Sequence, residues 1–300
     1  MVMNQMVNTV HLTKDYKKNR GIFDMNLQIK QGEVVGIVGK NGAGKTTTMR
    51  TLMGFIHPTD GYSEIRGLNS WSQASKTKRM IGYVPGEIAF PDTKSGETFL
   101  NNQLKLLRAS KDTYVNDLIQ RFKIDLTADI KRMSKGMKQK TALVCAFMTK
   151  APLLLLDEPT TGLDPVMRDA FIDLVLKVKA NGTTVFLSSH MFNELERTCD
   201  RILFLKDGKV IDVVDQNKFE TIHSFQKVKI QTSTSEGFQK ILTSFSETSH
   251  VNSENHEITV LISNTKVATL LVLLQDIEID DISFDTQTLD NYFEKELQVK

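Results

Sequence analysis

The amino-acid sequence predicts an α/β protein built on a doubly wound parallel sheet, with an all-helical insertion and a small α+β appendage behind it. Three observations predict this. Short, nearly all-apolar runs recur at 34–38, 81–84, 153–156 and 183–188, the pattern of parallel strands covered on both faces. A glycine-rich loop separates the first of these runs from a helix-like segment. Charge then changes sign along the chain: residues 215–300 carry 7 Lys/Arg against 14 Asp/Glu, a balance of −7, which leaves +9 on the first 214 residues within an overall +2. The shift marks a boundary near 215 and a basic front domain. With 300 residues, 40% of them hydrophobic and 25% charged, the chain can build one sizeable core and a smaller second one.

Each element has a local reason. The stretch "NLQIK" alternates polar and apolar side chains and ends at the turn Gln31-Gly32. Between 95 and 150 the spacing becomes helical: Leu100, Leu104 and Leu107 share one face, as do Tyr114, Leu118 and Phe122. Asp164-Pro165 supplies a cap and a first-turn proline for a helix that stops at Asn181-Gly182. "RILFLKDGKVIDVV" predicts a hairpin around Asp207-Gly208. Beyond it, "VKIQTS", "EITVLIS" and "IEIDDISF" predict strands of the appendage, which carries no chemical motif. The expected domains are 1–214, with a helical subdomain at about 95–150, and 215–300.

Composition also excludes. The longest apolar runs, at 153–156 and 267–274, fall far short of the ~20 residues that span a bilayer, so any work at a membrane needs another chain to cross it. Cys145 and Cys199 sit in apolar periodic stretches rather than at metal or disulfide spacings, which fits buried thiols in a reducing cytosol.

The chemistry begins with "GKNGAGKT" at 39–46, the full G-x-x-x-x-G-K-[ST] pattern between a strand and a helix. Gly39, Asn41, Gly42, Ala43 and Gly44 wrap backbone N–H groups around phosphates, the helix that follows presents its positive end, Lys45 reaches the β and γ phosphates, and Thr46 ligates magnesium. "LLLLDEP" places Asp157 and Glu158 at the carboxyl end of a buried strand, where open α/β sheets bind ligands. Asp157 is assigned to the metal and Glu158 to the attacking water as general base. His190 ends the strand "TTVFLSSH"; on position alone a structural histidine is the better reading. "MSKGMKQK" at 133–140 reads three ways, as a nucleic-acid patch, a solvated turn, or a part of a site that one chain cannot complete.

Taken together these residues resemble the nucleotide-binding subunit of an ATP-binding cassette (ABC) transporter over roughly residues 7–212, a P-loop NTPase of the RecA-like kind with an ABC helical subdomain. The resemblance makes 39–46 the Walker A loop, with Thr47 beside it, and makes Asp157 and Glu158 the end of the Walker B strand. "TGLD" at 161–164 becomes the D-loop and His190 the switch histidine that stabilises the γ-phosphate and positions water. "MSKGMKQK" resembles the family signature, in which Ser134 and Gly136 keep the usual residues while Lys135 and Met137 depart from them. The resemblance further implies that Ser134, Gly136 and their helix N-terminus meet the phosphate of a second subunit, so that a head-to-tail dimer, of two like or two different cassettes, encloses two ATP molecules. Tyr16 lies where the family places an aromatic ring against adenine. Implied cofactors are ATP and magnesium; implied partners are the second nucleotide-binding subunit and a separate transmembrane permease, with no nucleic acid expected. The expected activity is ATP hydrolysis that drives export of a drug, antibiotic or peptide toxin, from the cytoplasmic side, peripheral on the inner face of the membrane. A soluble ABC-type switch in translation, repair or signalling is the alternative. One position departs from the family: after "IGYVP" the usual glutamine is replaced by Gly86, followed by Glu87.

Overall fold

In the computed structural model, which describes residues 5–91, 93–107, 111–244, 248–252 and 256–299, the chain opens with two long strands, of which the second alternates buried and exposed residues from Met25 to Lys30. β1 (Gln5–Asp15) and β2 (Gly21–Lys30) pair antiparallel. β3 (Val34–Val38) is buried at all five positions and leads through the glycine loop into α1 (Lys45–Leu52). β4 (Asp60–Ile65), the short β5 (Leu68–Asn69), α2 (Ala74–Thr77) and β6 (Ile81–Val84) follow. The insertion contains α3 (Gly96–Leu106), α4 (Thr113–Arg121) and α5 (Lys135–Phe147). The chain then returns through β7 (Leu153–Asp157), α6 (Pro165–Ala180), β8 (Thr184–Ser188), α7 (Phe192–Thr198), β9 (Arg201–Lys206) and β10 (Lys209–Asp215).

Two sheets result. β2-β1-β4-β5 is antiparallel, and β10-β9-β3-β8-β7-β6 contains the four expected parallel strands with β9 and β10 added at one side. β3 pairs in parallel with both β8 and β9, and β7 with both β8 and β6. Parallel pairing brings the carboxyl ends of β3, β7 and β8 to one edge, with Asp157 opposite Ser188 and Ser188 opposite Ile37. That edge is where the glycine loop leaves β3. The core joins both sheets through α1: Met6, Leu12, Ile22 and Met25 from the antiparallel sheet, Ile37, Leu155, Phe186 and Leu203 from the parallel one, and Met49 and Leu52 from the helix form one cluster. Each fully buried side chain of this size contributes roughly 1.5–3 kcal/mol, so the helix that starts at Lys45 is anchored from both sides.

Within the insertion, Leu100, Leu104, Leu118 and Phe122 are buried as their spacing predicts. Leu107 is not: α3 ends at Leu106, Leu107 is its C-cap, and the side chain is 44% exposed. Ser95, Asp112, Ser134 and Asp164 cap their helices, each accepting from the backbone N–H three residues on. The tight hairpin between β9 and β10 turns on Asp207 and Gly208, both at positive φ (48° and 79°), the type I′ geometry that Asp-Gly favours.

The chain divides into two units, Met1–Val214 and Asp215–Lys300. The second comprises α8 (Gln216–His223), β11 (Phe225–Gln231), α9 (Ser235–Ser244), β12 (Thr248–Asn252), β13 (Glu257–Ser263), α10 (Val267–Leu274), β14 (Asp281–Thr286) and α11 (Leu289–Val299). From β11 to β14 the order is βαββαβ in a sheet arranged β12-β13-β11-β14, the ferredoxin-like split βαβ pattern. Val228, Ile230, Ile258 and Val260 from the sheet pack with Phe238, Ile241, Leu270 and Leu274 from α9 and α10. Among the described residues no helix is long and apolar enough to cross a membrane.

Candidate functional site

The glycine loop is shaped by what its backbone touches. A Cβ at position 39 would sit 2.4 Å from the Leu205 carbonyl oxygen, and one at position 44 would sit 2.7 Å from Ile22 Cγ2. Gly44 is also the N-cap of α1 at φ 113°, where no side-chain oxygen takes the first N–H groups. Those donors stay available to an anion, at the positive end of a helix. Lys45 is buried, donates to the Gly39 carbonyl at 2.7 Å and lies 3.6 Å from Glu158 Oε1. A cleft of about 560 Å³ is lined by Tyr16, Arg20, Gly21, Asn41, Gly42, Ala43, Gly44, Lys45, Thr46, Thr47 and Glu158. Nine of these eleven are residues the sequence singled out; Arg20 and Gly21 are not. The signal for Arg20 was the basic "KKNR" run after Tyr16, which no motif covers; Gly21 directly follows that run.

Asp157 is fully buried at the end of β7. Its Oδ1 accepts from Ser188 Oγ at 2.7 Å, while Oδ2 has no hydrogen-bond partner. Ser188 Oγ also accepts from the Glu158 N–H at 2.9 Å. Ser188 thus orients both acidic residues, a role that the sequence alone did not reveal and that the cross-strand pairing of Asp157 with Ser188 explains. Glu158 adopts φ 49°, a left-handed conformation for a residue with a side chain. It places Oε1 toward Lys45 and Oε2 2.7 Å from His190 Nδ1. One carboxylate therefore touches both a cation and the histidine.

The donor set suits magnesium with phosphate. An orphaned buried carboxylate oxygen on Asp157 and a threonine in the cleft are the kind of protein ligands that magnesium takes, the remainder being water and phosphate oxygens. Among the described residues no group of three or more His, Cys, Asp or Glu could hold a metal by itself. Gly86 adjoins this corner: a Cβ there would lie 3.0 Å from Asp157 Oδ2. Glu87 is exposed. Tyr83, one strand over, is pushed up to about 12 by its burial and by the Asp157 charge.

Tyr16 is 48% exposed, with Lys14 Nζ 5.5 Å from its ring centroid and its N–H donating to the Arg20 carbonyl. Ser134 and Gly136 are elsewhere and line no part of the cleft. Ser134 Oγ accepts from the Met137 N–H at 3.2 Å, and a Cβ on Gly136 would lie 2.8 Å from the Gly162 carbonyl oxygen, so α5 begins tight against the 161–164 turn. Gln139 ties the same helix to the turn that follows β7, donating to the Pro159 carbonyl at 2.7 Å.

Comparison with known proteins matches residues 22–161 to the ABC transporter family model. The chain is 34% identical over 220 residues to the bacitracin transport ATP-binding protein BcrA of Bacillus licheniformis, covering 71% of this chain and 70% of that protein. It is 31% identical over 227 residues to the ABC transporter ATP-binding protein YtrB of Bacillus subtilis, covering 75% and 76%. A solved structure of the ATP-binding subunit of an ABC transporter superposes with a TM-score of 0.67 at 28% identity, over 72% of this chain and 92% of that one.

Proposed function

The chain belongs to the family of ABC transporter ATP-binding proteins, and from that premise we propose that residues 1–214 form the nucleotide-binding domain of an exporter whose membrane permease is a separate chain. Its activity is ATP hydrolysis. The observation that carries the assignment of roles is the convergence of Lys45 and His190 on the two oxygens of Glu158, at 3.6 and 2.7 Å, beside a loop of N–H donors. Glu158 takes the proton of the attacking water, His190 orients Glu158 and the γ-phosphate, and Lys45 leaves its contact with Gly39 to hold the β and γ phosphates. Thr46 and Asp157 hold the magnesium, which when bound neutralises charge on the phosphates. Tyr16 offers its ring face to adenine.

Ser134 and Gly136 lie outside their own chain's cleft, which supports their acting on the cleft of a second subunit in a two-fold, head-to-tail dimer. ATP then favours the closed pair and hydrolysis releases it. The bacitracin-transport relative supports a drug, antibiotic or peptide toxin as cargo, and residues 215–300, the second unit of the fold, form an accessory domain. The expected place of work is the inner face of the cell membrane. Affinity purification from detergent-solubilised membranes tests the reading: a polytopic membrane protein should accompany the chain, and the purified pair should release phosphate from Mg-ATP. Recovery of the chain alone, or with ribosomes or DNA, contradicts it.

A further inference from the structure

Glu194 is a carboxylate that the proposed chemistry leaves unused. It lies in α7, is 3% exposed and lines no part of the cleft. Burying a carboxylate is costly unless donors surround it. Here one oxygen, Oε2, accepts from two hydroxyls, Thr160 Oγ1 at 2.8 Å and Ser189 Oγ at 3.0 Å, while Oε1 has no hydrogen-bond partner. An apolar side chain would fill the space without that penalty, so the two hydroxyl contacts need a reason.

Their positions supply one. Ser189 precedes His190, and its hydroxyl also accepts from the Met191 N–H at 3.0 Å, so the turn that carries the histidine is held on both sides. Thr160 lies two residues beyond Glu158, where its carbonyl accepts from Leu163 and the Glu158 carbonyl accepts from Thr161. A single oxygen therefore joins the two backbone turns from which His190 and Glu158 reach each other. We propose that Glu194 is a positioning residue that sets the Glu158–His190 contact and couples it to the 161–164 turn. The proposal rests on the reading of Glu158 and His190 given above.

Three variants test it. Glu194→Gln keeps an acceptor oxygen for both hydroxyls and should hold kcat within about threefold of wild type. Glu194→Ala should lower kcat at least about tenfold while KM for ATP stays within about threefold, the pattern of a residue that acts on the reacting geometry rather than on binding. On a His190→Ala background the same change should cost less than about twofold. A readout independent of turnover is the nitrogen-15 shift of His190 Nδ1 at fixed pH, which should move in Glu194→Ala and stay in Glu194→Gln. If wild type fails to hydrolyse ATP, the proposed function falls, and that shift still decides the role of Glu194. Should Glu194→Ala fail to fold, Ser189→Ala and Thr160→Val replace it with the same expectation for the shift. An unmoved His190 signal, a wild-type kcat in Glu194→Ala, or a full additive loss on the His190→Ala background overturns the proposal.

Discussion

Glu158 holds a backbone conformation that costs a non-glycine residue about 1–3 kcal/mol, and it is kept there by contacts that also aim its carboxylate. Ser188 fixes its N–H, and Lys45 and His190 meet its two oxygens. If the carboxylate is the general base, Glu158→Gln should lower ATP hydrolysis by roughly 10²–10⁴-fold while leaving ATP affinity within a few-fold, measured by phosphate release and nucleotide titration. A second prediction concerns protons. Burial pushes the Cys145 and Cys199 thiols from an ordinary 9.0 up to about 12, and Tyr83 from 10.0 to about 12. Between those values the folded chain keeps protons that the unfolded chain releases, so stability is fully present below pH 9 and is lost as pH rises toward 12. Each group contributes a slope of at most ~1.4 kcal/mol per pH unit. Urea melts at pH 8, 9 and 10 should show the midpoint falling, and Cys199→Ala should shallow the fall.

At the scale of elements, what the sequence revealed depended on how plainly each pattern was written. The parallel strands were legible because residues such as Leu153–Leu156 are buried on both faces and so are apolar throughout. β1 was not foreseen: register shifts between Thr9, Leu12 and Lys14 break its alternation, so no clean period-2 signal survives. β4 and β5 are short and mostly polar, and the place of β4 beside β1 and of β5 beside β4 is set by pairing rather than by composition. The site divides in the same way. Motif residues in the glycine loop announce themselves, whereas Ser188 acquires meaning only when β8 is laid beside β7. The contact between α5 and the 161–164 turn gives an element-scale prediction. Gly136→Ala, which puts a Cβ 2.8 Å from the Gly162 carbonyl, should displace the start of α5 and lower hydrolysis at least about tenfold, a loss comparable to ~1.4 kcal/mol or more. ATP binding by the isolated chain should persist, because the cleft has no residue from α5. Loss of binding in equilibrium dialysis would assign Gly136 to the chain's own site instead.

At the scale of the whole molecule, the chain separates a basic front domain that carries every recognised motif from an acidic unit with a ferredoxin-like order that carries none. The βαββαβ order there was only partly legible, since three strands were expected and β12, the fourth, has a sequence, "TSHVN", with little apolar character. The central claim is that two chains complete one site. Sedimentation of the Glu158→Gln chain at micromolar concentration tests it most directly. With saturating Mg-ATP this variant should sediment as a dimer, and with ADP or without nucleotide as a monomer. A variant that binds ATP and stays monomeric throughout, both alone and mixed with any second cassette that co-purifies with it, contradicts the claim.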